Sequence, residues 1–571
     1  MQFEPIYDVN PIKNLKNMVD KSEKLFGSKN AFYIKEKGDD YRGISYTEFA
    51  NDITALGTSL INMGLKDTFI AVIGENRYEW CVTYLSTVNG TGVIVPLDKE
   101  LPPSEIENLL IRSNASAVIF SGKFEKEMKK FKSTLLSVKY FINMDIDDDA
   151  QGFISYKRLI REGRDAVSSG NASFINAPID DDALSILLFT SGTTDLAKGV
   201  MLSHKNISNN LQAVSSVIYI DSHDSILSIL PLHHTYECTC GFLLMIYRGC
   251  TISFTEGLKH IAKNLNEVKP TVLLAVPLIL EGMYSKVWEQ ASKKRGMKTK
   301  LKIALKVSNF LYTYLKLDIR KKLFSKIHEG IGGRIRLAIS GAAAINPKVS
   351  EGFRSMGILV LQGYGLTECS PIVTVNREKD FRDSSIGQPL PGLQVKLDDE
   401  KDGIGEIIVK GDSVMLGYYD NKLATEKVIN DGWFYTGDLG TMDKHGFFTI
   451  TGRKKNVIIT KNGKNIFPEE VESYLSKSLY ISESLIIGAY DNNSGETFVN
   501  AQIFPNVEAI KDKLKTNEVS NEEIFKVINM EIKAINRSIP LYKRIRQFSI
   551  RDMEFEKTTT KKIKRYNQKT G

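Results

Sequence analysis

Leu188-Phe-Thr-Ser-Gly-Thr-Thr-Asp-Leu-Ala-Lys-Gly-Val-Met201 decides how the rest of the chain is read. The apolar run from Leu184 to Phe189 reads as a buried strand. It opens into Thr190, Ser191, Gly192, Thr193 and Thr194, and Lys198 follows. Hydroxyls, backbone N–H groups and a cation in one loop all offer hydrogen bonds to anionic oxygens, so the stretch suits a polyphosphate. It is not a Walker A loop, because Lys198 precedes Gly199 and the order G-x-x-x-x-G-K-[ST] is absent. Read alone, a Ser/Thr/Gly-rich turn after a strand is as readily an ordinary loop.

Upstream, Phe69-Ile-Ala-Val-Ile, Gly92-Val-Ile-Val-Pro-Leu, Ala117-Val-Ile-Phe and Tyr140-Phe-Ile-Asn are short apolar runs separated by helical patterns. Tyr46-Thr-Glu-Phe-Ala reads as a helix start with Thr47 as its cap. This alternation predicts an α/β fold with mainly parallel sheets. At 571 residues the chain exceeds one ordinary core, so two or more domains are expected.

Downstream, further stretches carry candidate chemistry. Leu230-Pro-Leu-His-His-Thr-Tyr-Glu237 sets two histidines in a Pro-anchored loop. Arg336-Leu-Ala-Ile-Ser-Gly-Ala-Ala-Ala344 reads as a strand running into a small-residue turn, where backbone can approach a flat ring. Then come Leu361-Gln-Gly-Tyr-Gly-Leu-Thr-Glu-Cys369, Gly432-Trp-Phe-Tyr-Thr-Gly-Asp-Leu-Gly440 and Gly452-Arg-Lys-Lys455. Asn456-Val-Ile-Ile-Thr-Lys-Asn-Gly-Lys-Asn-Ile-Phe-Pro-Glu-Glu470 and the tail Phe555-Glu-Lys-Thr-Thr-Thr-Lys-Lys-Ile-Lys-Arg565 follow.

Taken in this order, these stretches resemble the motifs of the adenylate-forming superfamily, and the match covers nearly the whole chain. The resemblance is to acyl-CoA synthetases, luciferase-like enzymes and peptide-synthetase adenylation domains. It implies a large N-terminal domain, 1–453, of mainly parallel sheets with helices plus a β subdomain. A small mobile α+β lid domain, 454–571, would follow, with Lys455 as its pivot. Gly405-Glu-Ile-Ile-Val-Lys-Gly with Gly417-Tyr-Tyr resembles the β subdomain.

The resemblance implies ATP, Mg²⁺ and CoA as partners in the chemistry, with roles as follows. Thr190 to Thr194 and Lys198 hold polyphosphate. Gly341, Ala342 and Ala343 sit against adenine, with Gln362, Gly363 and the stacking ring of Tyr364. Thr367 brings a hydroxyl near the α-phosphate, and Glu368 is the Mg²⁺ carboxylate. Asp438 accepts from the ribose hydroxyls and Arg453 reaches ribose or phosphate. His234, in preference to His233, lines the acyl entrance. Lys562, in preference to Lys561, is the catalytic lysine, and Gly463 sits where the pantetheine thiol arrives. Two positions depart from the family pattern: Asp195 and Ala197 stand where Gly and Pro are usual. Asp tolerates left-handed backbone angles, but an acid beside triphosphate is unfavourable unless it points away or meets the metal.

Composition is that of an ordinary globular chain, 42% hydrophobic and 25% charged. Met1-Gln-Phe-Glu-Pro lacks the basic and apolar regions of a signal peptide. No apolar run is long enough to span a bilayer; the best, Gly241 to Phe254, contains Arg248. Five scattered cysteines fit a reducing compartment, and Cys238-x-Cys240 lacks a second zinc-ligand pair. A cytoplasmic enzyme is expected.

The net charge of +8 is concentrated: residues 293–326 hold twelve Lys/Arg against one acid, Asp318. Within that segment Leu301, Ala304, Leu305, Val307, Phe310, Leu311, Tyr314 and Leu315 follow helical spacing. The favoured reading packs this face on the protein; the alternative lays it on a membrane. An insertion here resembles long-chain acyl-CoA synthetases, so a fatty acid is the expected substrate. An acyl carrier protein in place of CoA stays open, since the basic patch suits an acidic carrier too. No nucleic-acid module accompanies the charge, so no nucleic-acid partner is expected.

Overall fold

The computed structural model describes residues 3–36, 40–190, 197–459, 465–491, 496–557 and 563–565. It is an α/β protein, as the alternation of apolar runs and helical patterns predicts. The described chain divides into two compact units. One spans residues up to Thr190, Ala197–Val395 and Val409–Phe434; the other takes Lys396–Ile408 and the chain from Tyr435 onward.

The first unit holds two large sheets. In one, Asn30–Lys35, Thr251–Phe254, Ser225–Ser228, Val272–Ala275, Leu337–Ser340 and Leu359–Gly365 run parallel side by side. Short antiparallel strands close its edges. These inner strands are apolar runs such as Leu337-Ala-Ile-Ser340, buried throughout, because helices cover both faces of a parallel sheet.

In the second sheet, Thr68–Ile73 pairs in parallel with Gly92–Pro96 and Ala117–Phe120, and the apolar strand Leu184–Thr190 continues it. Lys198–Ser203 turns back antiparallel on Leu184–Thr190, placing Thr190 opposite Lys198. Gly417–Tyr418, expected in the β subdomain, instead pairs antiparallel with this hairpin, Tyr418 opposite Val200. Two residues suffice because the exposed ladder edge of Lys198–Ser203 supplies the backbone partners.

From Tyr435 the second unit continues the strand Trp433–Met442, which pairs antiparallel with Phe448–Arg453. Beyond them, Ile481–Asp491 and Glu496–Pro505 pair antiparallel, and Ile545–Ile550 joins in parallel. The helices Pro468–Leu475 and Asn521–Ser538 pack onto this sheet through Val471, Leu475, Val527, Ile528 and Ile532. Ser520 starts the longer helix through a reciprocal capping box with Glu523. Among the described residues, no helix is long and apolar enough to cross a membrane.

The predicted amphipathic segment forms the helix Met297–Leu315. Its apolar residues do not share one environment. Leu301, Ala304, Leu305 and Leu311 are half-buried, while Val307, Phe310, Tyr314 and Leu315 are exposed.

Candidate active site

In the first unit, four of the quoted stretches meet. Thr235 Oγ1 lies 3.1 Å from Thr367 Oγ1, tying the histidine loop to the Gly-Leu-Thr-Glu segment. Tyr418 Oη donates to Glu368 Oε1 at 2.9 Å, and Lys198 Nζ lies 4.7 Å from the centre of the same Tyr418 ring. One tyrosine therefore touches both the loop cation and the carboxylate. The Met415 N–H adds a bond to the Glu368 carbonyl at 2.8 Å. Thr190, the strand-end hydroxyl, sits beside Lys198 and donates to its carbonyl at 3.4 Å.

The small-residue turn lies against the same region. Tyr236 donates to the Ile339 carbonyl at 3.0 Å, and a Cβ on Gly341 would stand 2.8 Å from its ring. Gly341 is thus required by close approach, not by backbone angle. Ala342 has φ of +69°. An L-residue there costs roughly 1–2 kcal/mol relative to ordinary backbone. Ala342→Gly is expected to stabilise the fold by about 0.5–1 kcal/mol, after the entropy of glycine is counted. Chemical denaturation measures this; a loss of stability would show that the methyl packs usefully.

Ala343 is exposed and Tyr364 buried. The Gln362 side chain is committed to the fold: its Oε1 accepts from the Ile345 N–H at 2.8 Å and its Nε2 donates to the Ser385 carbonyl at 3.1 Å. Gly363, next to it, lies on the strand opposite Val375.

The His233 and His234 rings lie against each other, centres 4.2 Å apart and planes tilted by 46°. His233 turns toward Asp98, with Nε2 at 3.5 Å from Oδ1. The loop bearing both is braced by Asn76, just ahead of the helix Tyr78–Ser86. Asn76 Nδ2 donates to Ser228 Oγ at 2.9 Å and the Leu230 carbonyl at 2.6 Å; its Oδ1 accepts from the Leu232 N–H at 3.1 Å. On its own, Asn76 carries no chemistry that marks it in the sequence. Its bracing role, like those of Thr235 and Tyr418, depends on partners far along the chain.

Glu237 closes the loop. It is 0% exposed and its Oε1 bonds Ser228 Oγ at 2.6 Å. Burial pushes its carboxyl up to about 8, against the Ser228 and Leu230 bonds that favour the anion. The folded state thus holds the proton more tightly than an unfolded glutamate. The stability this proton confers is complete below the ordinary value of 4.5 and is lost as pH rises through about 8. Glu237→Gln, neutral at every pH, should match the wild type below pH 4.5 and exceed it above pH 8, by on the order of 4 kcal/mol. Denaturant unfolding across that range reads the difference; parallel curves for the two proteins would refute the assignment.

In the second unit Asp438 and Arg453 face each other across the strand pair, with Arg453 Nε 2.6 Å from Asp438 Oδ1. Asp438 is 4% exposed. Glu406, which the sequence did not single out, holds this region: it accepts from the Gly437 N–H at 2.9 Å and from Lys454 Nζ at 2.6 Å. Lys455 lies in the one-turn helix Lys454–Asn456 that follows.

Ser191, Gly192, Thr193, Thr194, Asp195, Gly463, Lys561 and Lys562 lie outside the described residues. On either side of 558–562 the tail is anchored. Lys557 pairs with Glu483 and Glu554 and bridges to Ile563. Arg565 pairs with Glu472 and donates to the Ile486 carbonyl at 3.1 Å.

Whether this set suits Mg²⁺ follows from its donors. Glu368 supplies a carboxylate, with the Thr367 hydroxyl on the adjoining residue. Among the described residues no cluster of three or more His, Cys, Asp or Glu forms a cage. A single carboxylate suits a cation that takes most of its ligands from phosphate oxygens and water, as Mg²⁺ does.

Residues 20–419 match the family model described as AMP-binding enzyme. The chain belongs to that family. This AMP-binding enzyme is 26% identical over 552 residues to the long-chain-fatty-acid–CoA ligase FadD15 of Mycobacterium bovis, covering 91% of this chain and 90% of that one. It is 31% identical over 508 residues to long-chain-fatty-acid–CoA ligase 5 of Rattus norvegicus, covering 83% and 73%. Its fold is shared with the anthranilate CoA ligase AuaEII in complex with anthranoyl-AMP, at a TM-score of 0.77 and 20% identity, covering 99% and 97%. It is an adenylate-forming ligase.

Proposed function

We propose that this protein is an AMP-forming fatty acid–CoA ligase of the long-chain type, using ATP, Mg²⁺ and CoA. Two of the proteins named above are long-chain-fatty-acid–CoA ligases, matched over most of both chains. The observation that carries the reading is the Thr235–Thr367 contact. It sets the histidine loop, read as the acyl wall, against the segment read as the metal and α-phosphate site.

A carboxylate is a poor electrophile for a thiol, so it must first be activated. The fatty acid carboxylate attacks the α-phosphorus of ATP in line, the bond to the bridging oxygen breaks, and pyrophosphate leaves. The protein's part is positioning and charge neutralisation on phosphoryl oxygens. Glu368 would hold Mg²⁺, which would supply Lewis-acid charge to the phosphates. Thr190 to Thr194 and Lys198 bind the polyphosphate. Gly341, Ala342, Ala343, Gln362, Gly363 and Tyr364 receive adenine, Thr367 the α-phosphate, and Asp438 and Arg453 the ribose. His234 bounds the acyl chain. Lys562 bridges carboxylate and α-phosphate oxygens. The CoA thiol then attacks the acyl carbonyl and AMP departs. For that second step we place the domain boundary at 453/454, a pivot at Lys455, and Gly463 beside the pantetheine.

The named relatives are CoA ligases, so CoA is favoured over an acyl carrier protein as acceptor. The test is thioester formation from ATP, Mg²⁺ and a panel of fatty acids, with CoA and a carrier protein compared side by side. Acyl-CoA with a long-chain optimum is expected. Carrier loading without acyl-CoA would overturn the acceptor, and no pyrophosphate from any fatty acid would overturn the substrate.

A further inference from the structure

The helix Met297–Leu315 has two apolar stripes on opposite sides. Leu301, Ala304, Leu305 and the buried Ser308 face the protein. Ser308 donates to the Ser355 carbonyl at 3.2 Å, and Asn309 to Ser355 Oγ at 2.8 Å. Ile303, Val307, Phe310 and Tyr314 recur at i, i+4, i+7 and i+11 on the far side, exposed by 56, 47, 55 and 73%. The Phe310 and Tyr314 rings sit 5.1 Å apart, so the stripe is continuous. Helical geometry puts Lys300 on one flank of it and Lys306 on the other, both exposed. Lys302 lies further round on the Lys306 side.

A soluble surface rarely lines up four large apolar residues between lysines without a use for them. We propose that this helix lies on the surface of an anionic phospholipid bilayer, the far stripe among the acyl chains and the lysines snorkelling to the phosphates. Charge selects this occupant. Residues 293–326 carry twelve Lys/Arg and a single acid, and that acid, Asp318, is paired with Arg320 at 2.7 Å. A second copy of the chain would oppose the same excess of positive charge, whereas an anionic leaflet attracts it. The proposal rests on the fatty-acid reading for its purpose, since long-chain acids partition into bilayers; the geometry stands without it.

The test is co-sedimentation of the full chain with vesicles of phosphatidylcholine alone or mixed with phosphatidylglycerol. Binding is expected to the mixed vesicles and to fall with added salt. Replacing Ile303, Val307, Phe310 and Tyr314 together with Ser should reduce partitioning at least about tenfold. Lys300→Gln, Lys302→Gln and Lys306→Gln should each cost about fivefold, and only on anionic vesicles. All four variants should keep pyrophosphate release with a water-soluble acid, which verifies folding. Wild-type protein left in the supernatant, or unchanged binding by the serine variant and the three glutamine variants, would overturn the proposal. So would an oligomer that the serine variant dissociates, or capture by an acidic acyl carrier protein with no vesicle binding. A failed fatty acid panel with intact vesicle binding would overturn the substrate reading alone.

Discussion

Glu368→Gln is expected to lower pyrophosphate release by about 10²- to 10³-fold while leaving the fold intact. The change keeps the shape of the side chain and an oxygen to accept from Tyr418 Oη, which now donates at 2.9 Å. The Tyr418 hydroxyl thus keeps its acceptor, and thermal stability should move little. What is lost is the anionic charge on the one carboxylate assigned to the metal. Raising free Mg²⁺ should recover part of the rate, because the defect is in cation affinity. Tyr418→Phe is the companion: it frees the carboxylate from its orienting bond without removing charge, and should cost less. A loss below about threefold for Glu368→Gln at ordinary Mg²⁺ would remove Glu368 from the metal role.

Lys562→Ala should split the two half-reactions. Adenylation should fall by about 10³-fold, because the ammonium is asked to neutralise both reacting anions as they approach. Thioester formation from a supplied acyl-adenylate should stay within about threefold, since that step expels AMP from a carbonyl and needs no such bridge. On either side of Lys562 in the sequence, Lys557 and Arg565 are each tied by ion pairs, and Lys557 bridges to Ile563. Quench-flow measurement of pyrophosphate and of acyl-CoA, each from its own substrate, distinguishes the outcomes. Equal loss in both steps would mean that Lys562 holds the lid domain's structure instead, and Lys561→Ala would then be the next measurement.

The order of motifs along the chain was legible because each is a short contiguous segment. A strand followed by Thr, Ser and Gly, or Gly-Tyr-Gly-Leu-Thr-Glu, sets its own local backbone and displays its own donors. The α/β architecture was legible for the same reason: buried parallel strands write themselves as apolar runs of four to seven residues, as in Val272–Ala275 and Leu184–Thr190. The antiparallel pair that opposes Asp438 to Arg453 needs only a nearby turn.

Contacts between distant segments were not legible. Thr235 and Thr367 are 132 residues apart, Tyr418 and Glu368 are 50 apart, and Asn76 is 156 from Leu232. Nothing local marks one threonine or tyrosine among many as the partner. Nothing in the sequence around Glu237 marks it as buried; its bond with Ser228 and its enclosure come from the fold. The basic helix shows the limit most directly. Its sequence determines an amphipathic helix with lysines, and two apolar stripes satisfy the same period of 3.6. The tertiary structure alone decided which stripe packs on the protein and which faces outward. Side-chain size at 301, 304, 305 and 308 matters only once Ser355 and its helix stand opposite.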